Sequence, residues 1–497
     1  MNKKKFSVLL SLPISSTLFA AQPNVVVVLA DDLGSGDISY YRRMHSEKVI
    51  LETPNIDAIA KNGVSFTNAH SAAALSAPSR YSMMTGNSCF RSDYPWGVWG
   101  SYEKTPIKEN QLTMSKLMKQ VGYQTAFFGK WNLGGDFLRL DDSTKVYRGP
   151  RNKPEVDVDI RKIVGGGPSK QYFDYSLSLP SGIQASPYAV YENDVWKPMA
   201  KDSKTGFVSQ EMMTKLGVKL DKLEGLGDLN WDPHFIGPIL ANGAVKFINT
   251  HANKENPFFI YYCSQAVHLP HAPANELNGI KIAGTTPSAH LDMVKELDVQ
   301  MGMLIAALKK QGVYDNTVFI FTSDNGGLEE AETVKSGHKS NDIYRGHKNL
   351  AYEGGHRVPL IISYPGLVKK AAVCAEPVMS LDAIATLASI TNQTIATGQA
   401  QDSKNLMPLL LNTKGAKGHD YLMLQSGTDK RLILIEDNWK LIIQEDLRNK
   451  QSEVRTPFAL FDLNTNVEEN EAKNLINEPE QQIRIKRMFE KYNELRK

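Results

Sequence analysis

The run Leu75-Ser76-Ala77-Pro78-Ser79-Arg80, continuing through Tyr81 to Gly86, sets a hydroxyl and a guanidinium four residues apart. Ser76 suits a helix N-cap, Pro78 the first helical turn, where a missing N–H costs nothing, and Gly86 a left-handed helix end. Residues four apart share a helix face, so Arg80 is expected to point back toward Ser76, beside the free N–H groups of the first turn. The expectation is a hydroxyl in an anion-binding helix mouth. Other residues suited to chemistry are scattered along the chain: Asp31-Asp32, Lys130, His268, Asp324-Asn325 and Lys348. Asp31, Asp32, Asp324 and Asn325 offer hard oxygen ligands without thiol or imidazole, which favours calcium or magnesium over zinc. Arg80, Lys130 and Lys348 are cations for an anionic group, and His268 could protonate a leaving oxygen. No G-x-S-x-G turn surrounds Ser76, and a serine without a base or metal is a weak nucleophile, so metal activation is the route these neighbours offer. Spacing alone leaves two readings open, a metal-dependent hydrolase of an anionic ester and a calcium-stabilised protein that binds such an anion.

Groups so dispersed act together only if the elements carrying them end at one rim. Val25 to Ala30 is a continuous apolar run, the pattern of a strand buried on both faces of a parallel sheet, and it stops at Asp31-Asp32. Strands are expected at 64–66, at 124–128 ahead of Lys130, at 257–264 ahead of His268, at 317–323 ahead of Asp324, and at 359–364. Helices are expected at 54–62 with Thr53 as cap, 111–121, 236–250, 289–310 and 382–389. This alternation predicts an α/β fold, a large mainly parallel mixed sheet sandwiched by helices, with ligands at the carboxyl ends of the strands. Short strands at 422–425, 432–436, 439–444 and 459–462, then a charged helix at 479–495, predict a smaller C-terminal antiparallel sheet plus helix. The division expected is a catalytic domain at 22–410 and an α+β subdomain at 411–497. Residues 135–233 show weak periodicity and read as elaborated surface loops or an inserted subdomain that carries specificity.

With 57 Lys+Arg against 54 Asp+Glu in 497 residues, the net charge of +3 gives no surface suited to nucleic acid. Residues 1–21 read as a signal peptide: Lys3-Lys4-Lys5, an apolar run interrupted by Pro13, and the small residues Ala20-Ala21. The run is too short to span a bilayer, so an exported, periplasmic protein without a membrane span is expected. Cys89, Cys263 and Cys374 allow at most one disulfide, and Cys263, in an apolar run, reads as a buried thiol.

Ser76-Ala77-Pro78-Ser79-Arg80 resembles the C/S-x-P-S-R signature of the type I, formylglycine-dependent sulfatases of the alkaline phosphatase superfamily, in its serine form. Leu29-Ala30-Asp31-Asp32-Leu33-Gly34, Gly129-Lys130-Trp131, Ser323-Asp324-Asn325-Gly326, and Lys348 ahead of Tyr352-Glu353-Gly354-Gly355 resemble that family's other motifs, in the family's order. Asn438-Trp439-Lys440-Leu441 and Leu460-Phe461-Asp462 extend the match toward the C-terminus. The resemblance implies an alkaline-phosphatase-like fold, oxidation of Ser76 to formylglycine by a radical-type sulfatase-maturating enzyme, and Ca2+ held by Asp31, Asp32, Asp324, Asn325 and the modified residue 76. It further implies that an oxygen of the aldehyde hydrate attacks sulfur, while His268 protonates the departing alcohol. Lys130 and Lys348 then neutralise the sulfate oxygens, Arg80 orients the hydrate, and the second hydroxyl expels sulfate. The family usually has histidine where this chain has Asn132, and that histidine is thought to help sulfate release. Asn132 hydrogen-bonds but takes up no proton at neutral pH. His271 is one candidate to replace it, beside a structural or substrate-contact reading of that residue. The stretch from Gly182-Ile183 to Asn193 resembles the galactosamine-6-sulfatase branch. It implies an exo-acting enzyme that removes sulfate from galactose or N-acetylgalactosamine units of glycosaminoglycan or mucin glycans, with Lys130, His268, Lys348, Asn132 and His271 touching the substrate. Two alternatives stand beside it: a phosphatase or phosphodiesterase of the same superfamily using unmodified Ser76, and a sulfoglycan-binding protein without turnover.

Overall fold

Residues Val25 to Ala30 form a strand with no exposed side chain, and alternate residues enter two different cores. The computed structural model describes residues 22–149, 157–169, 172–448 and 454–497, so the expected signal peptide lies outside the described residues. Among these, the central sheet consists of β1 (Asn24–Ala30), β2 (Val64–Phe66), β3 (Gln124–Lys130), β4 (Tyr175–Ile183), β5 (Val190–Glu192), β6 (Val195–Lys197), β7 (Phe258–Cys263), β8 (Thr317–Ser323), β9 (Leu360–Ser363) and β10 (Ala372–Cys374). Their spatial order is β6-β5-β4-β3-β7-β1-β8-β9-β2-β10. The central run β4-β3-β7-β1-β8 is parallel throughout, so its carboxyl ends share one rim, whereas β5 and β9 run antiparallel to their neighbours.

Helices cover both faces. Among them are α1 (Pro54–Lys61), α2 (Ser76–Thr85), α3 (Met114–Lys119), α4 (Ile236–His251), α5 (Ala289–Lys310), α6 (Glu353–His356), α7 (Ala383–Ile390) and α8 (Gln482–Leu495). Val26 and Val28 share a core with Ile56, Leu240 and Leu297 from α1, α4 and α5. Val25, Val27 and Leu29 share the opposite one with Tyr81, Leu117 and Leu387 from α2, α3 and α7. Each fully buried valine contributes about 1.5–3 kcal/mol, which makes β1 a firm base for the residues at its end.

Several local expectations are corrected. Helix α3 is shorter than the 111–121 expected, because Thr113 caps it by accepting from Lys116 N. Thr53 stands at the N-cap of α1, but its hydroxyl bonds Ser39 and Asp57. The free N–H groups of Asn55 and Ile56 donate instead to Asp298 Oδ1 of α5, at 3.0 and 2.8 Å. The described part of residues 135–233 is neither plain loops nor a separate insertion, since it supplies β4, β5 and β6 to the central sheet. All three cysteines are free, and Cys263 is buried in β7.

At the C-terminus, β11 (Tyr421–Gln425), β12 (Arg431–Glu436), β13 (Trp439–Gln444) and β14 (Thr456–Asp462) form an antiparallel sheet in chain order. Its side chains alternate between two faces, with one register shift between Ile442 and Ile443. Leu434, Leu441 and Leu460 lie under Ile485 and Met488 of α8, while Ile433, Ile442 and Phe461 pack on Ala72, Ala351 and Leu381 of the main body. Among the described residues no helix is long and apolar enough to cross a membrane.

Candidate active site

Strands β1, β3, β7 and β8 end side by side, and each delivers a polar group: Asp31-Asp32, Lys130, His268 and Asp324-Asn325. Backbone bonding continues past the strand ends, with Asp31 N donating to Ala266 O at 2.9 Å and Asp324 N to Ala30 O at 3.1 Å. Gly129, at φ 101°, lies so close to β7 that a Cβ would stand 1.8 Å from Cys263 O. Only glycine lets β3 close on β7 immediately before Lys130.

Ser76 is the first residue of α2 rather than its cap, since Leu75 holds the N-cap position with extended backbone. The hydroxyl faces the rim because better partners wait there. Ser76 Oγ accepts from Arg80 Nε at 3.0 Å and from Lys130 Nζ at 3.1 Å, donates to Asp324 Oδ2, and lies 3.4 Å from Asp31 Oδ1. One donor and two acceptor sites are thus filled. Arg80 reaches back one turn as its spacing requires, placing Nη2 2.8 Å from Asp324 Oδ2 and Nη1 3.1 Å from Lys130 O. Lys130 Nζ sits 2.8 and 3.0 Å from the oxygens of Asp31. Lys348 Nζ contacts both oxygens of Asp32, at 2.7 and 2.8 Å, and donates to His268 Nε2 at 3.1 Å.

Burial, the largest influence on Asp31, pushes its pKa up, but Lys130, His268 and Arg80 outweigh it and hold the carboxyl at about 2. Asp32 is likewise held below its usual range, Lys348 and His268 overcoming burial. Burial lowers Lys130, with Asp31 opposing; in Lys348 the pull of Asp32 and Asp31 overcomes burial and raises it. Burial, then Lys348, lowers His268. Three carboxylates therefore face three cations in a site from which water is nearly excluded. Removing any one partner of such buried pairs costs about 3–5 kcal/mol, because it strands a charge.

These residues fit a hard cation. Ligand atoms of Asp31, Asp32 and His268 lie within 4.8 Å of one another. Asn325 Nδ2 donates to Asp32 Oδ1 at 2.9 Å, while Asn325 Oδ1 is buried with no hydrogen-bond partner. An amide oxygen without a donor, inside an oxygen-rich acidic cluster, is a ligand suited to calcium. Three negative and three positive side chains cancel, so a bound divalent cation leaves a surplus of positive charge that matches an anionic substrate.

Asn132 stands two residues past Lys130 in the left-handed region, φ 52°, with its N–H donating to Pro180 O at 2.9 Å. His271 packs its ring 5.2 Å from that of His290, and its Nε2 is buried without a partner. Burial, then His290, drives its pKa down to about 3, which makes it a poor proton acceptor near neutral pH. Gly182, on β4, abuts Lys130, since a Cβ there would lie 2.9 Å from Lys130 Cδ. Reading the sequence alone missed Glu296. It is fully buried in α5 and accepts from Gln265 Nε2 at 2.9 Å and Ala274 N at 2.7 Å, bracketing the segment that carries His268 and His271.

A family model described as Sulfatase matches residues 23–393. The N-acetylgalactosamine-6-O-sulfatase of Bacteroides thetaiotaomicron is 31% identical over 467 residues, spanning 86% of this chain and 83% of that protein. The N-acetylgalactosamine-6-sulfatase of Rattus norvegicus is 26% identical over 396 residues, spanning 78% of this chain and 66% of that protein. A structure solved in work on the metabolism of multiple glycosaminoglycans by Bacteroides thetaiotaomicron matches with a TM-score of 0.78 at 26% identity, over 96% of this chain and all 100% of its own. By its motifs, its parallel sheet with a polar rim and these matches, the chain belongs to the sulfatase family and is a sulfuric ester hydrolase.

Proposed function

We propose that this sulfatase removes sulfate from terminal N-acetylgalactosamine or galactose units of glycosaminoglycan or mucin glycans, using residue 76 as nucleophile after its oxidation to formylglycine. The observation that carries the reading is the setting of Ser76 Oγ, held by Arg80 and Lys130 among the carboxylates of Asp31 and Asp324. Lys130 and Lys348 hold the sulfate oxygens, and Arg80 fixes the side chain at position 76. His268 serves the leaving alcohol. Its Nδ1 lies 2.7 Å from Leu269 O, which keeps a proton on that nitrogen and leaves Nε2 to take up and deliver a second one. Asp31, Asp32, Asp324 and Asn325 would hold Ca2+, which supplies positive charge to the nucleophile and the sulfate oxygens when bound.

The substrate class is supported by the 31% identity to an N-acetylgalactosamine-6-O-sulfatase, and by the resemblance of the segment from Gly182 to Asn193, which begins against Lys130. This reading requires a radical-type maturase as partner, and the N-terminal segment leads us to propose export to a periplasm. Sulfate release from a panel of defined sulfated mono- and disaccharides tests it. The expected result is fastest release from 6-O-sulfated N-acetylgalactosamine or galactose at a chain end, abolished by a calcium chelator. Preference for internal sulfates or gluco-configured sugars would overturn the substrate, and undiminished release with chelator would overturn the calcium.

A further inference from the structure

We propose that Lys440, delivered by the C-terminal sheet, is a positioning residue for the active site: its ammonium fixes the loop that carries Lys348 and the turn that carries Asn325. Lys440 is fully buried in β13. Its Nζ lies 3.0 Å from Glu353 Oε1, 2.7 Å from Glu469 Oε1 and 3.1 Å from His356 Nε2. An ammonium has three N–H donors: two meet Glu353 Oε1 and His356 Nε2, while Glu469 Oε1 stands beside the charge as an ion-pair partner. The protons beyond are then dictated. With Nε2 accepting, His356 carries hydrogen on Nδ1 and donates to His70 Nδ1 at 2.9 Å, and His70 donates from Nε2 to Asn68 Oδ1 at 3.0 Å. Burial, then Lys440, drives the pKa of His356 to about 3, and burial, then Arg357, depresses His70, so both rings are neutral as this chain of bonds requires. His70, Glu353 and His356 are spaced like metal ligands, and Lys440 places a cation of the protein's own among them.

The consequence runs through α6. Glu353 opens that helix, takes Arg357 Nε on its other oxygen at 2.9 Å, and donates its backbone N–H to Glu469 Oε2 at 2.5 Å. Gly355 O accepts from Gly326 N at 2.9 Å, and a Cβ on Gly326 would stand 1.8 Å from Gly354 O, so helix and ligand turn touch without slack. Asn325 is bonded into that turn through Nδ2 and Gly326 O at 2.9 Å, and Lys348 N donates to Gly327 O at 3.2 Å. The approach to Ser76 leans on the same loop, with Ser71 N on His356 O at 2.8 Å and Asn349 N on Ala74 O at 2.7 Å. One ammonium from a distant strand thus sets the positions of Lys348, Asn325 and the chain entering Ser76. A close-packed interior passes a shift at Glu353 to all three rather than absorbing it.

The proposal rests on the function assigned to the site above. The test uses the full-length matured enzyme and the variants Lys440→Met, Lys440→Met with Glu469→Gln, and Ile442→Ala, a residue on the same strand that packs on the main body. Lys440→Met is expected to lower kcat by about 10²-fold, as a misplacement near 1 Å does, and to shrink the rise in Tm produced by Ca2+. Adding Glu469→Gln is expected to recover Tm by restoring charge balance while kcat stays low. Ile442→Ala is expected to lower Tm and keep kcat. Wild-type kcat in Lys440→Met, or kcat that returns together with Tm in the double variant, would overturn the proposal. A wild-type enzyme that releases no sulfate would refute the functional reading instead. Lys440 is then judged on the Ca2+-induced shift in Tm, and an unchanged shift in Lys440→Met would overturn it.

Discussion

Ser76 and Arg80 sit one helical turn apart, and that spacing alone makes the Nε to Oγ contact of 3.0 Å geometrically natural. What the sequence hides is where the hydroxyl goes. A serine at the start of a helix ordinarily caps it, and here the competing partners Asp324, Lys130 and Asp31 arrive from strands remote in the chain. Asn132 is the residue with the clearest kinetic consequence. It offers hydrogen bonds but no base at neutral pH, and His271, with a pKa near 3, is too weak a base to replace one. The expected behaviour is a burst of released alcohol in the first turnover, followed by a slower steady rate limited by sulfate release. Asn132→His should raise the steady rate and leave the burst unchanged. Rapid-quench measurement of both phases checks this, and a reaction without a burst in the native enzyme would show that release is not limiting.

At the scale of elements, the strands that carry the site were readable because burial on both faces leaves an unbroken apolar run, as in Val25 to Ala30 and in Val318 to Phe321. Strand β4 was not. Its Ser176-Leu177-Ser178-Leu179 alternation is a strand signal, but Pro180 and Gly182 inside it read as breakers. Glu296 and Gln300 were hidden for another reason: periodicity assigns polar residues of an amphipathic helix to solvent, whereas both are fully buried in α5. Burial pushes the Glu296 pKa up to about 7, against about 4.5 in an unfolded chain. The folded state therefore binds this proton more tightly. Stability from the group is full below about pH 4.5 and declines as pH rises through about 7. Glu296→Gln should flatten the fall of Tm across that window, measured by thermal unfolding at a series of pH values. Parallel curves for the two proteins would show that Glu296 is not the titrating group.

For the molecule as a whole, fold and chemistry are one arrangement. Parallel strands collect Asp31, Lys130, His268 and Asp324 on a single rim, and helix α2 lowers Ser76 into the middle of them. The C-terminal sheet braces the loop behind them through Lys440. The number and order of the motifs made this convergence legible. The long-range pairs that hold it, such as Lys440 with Glu353, were not, because charged residues in a strand carry no mark of their partner. The central claim is that the acting group at position 76 is no longer a serine. Mass spectrometry of the peptide spanning Ser76 to Arg80, from enzyme co-expressed with a radical maturase and shown to release sulfate, tests it most directly. The expected peptide is lighter than the encoded one by two hydrogen atoms, with activity in proportion to the converted fraction. Full sulfate release by enzyme carrying only unmodified Ser76 would contradict it.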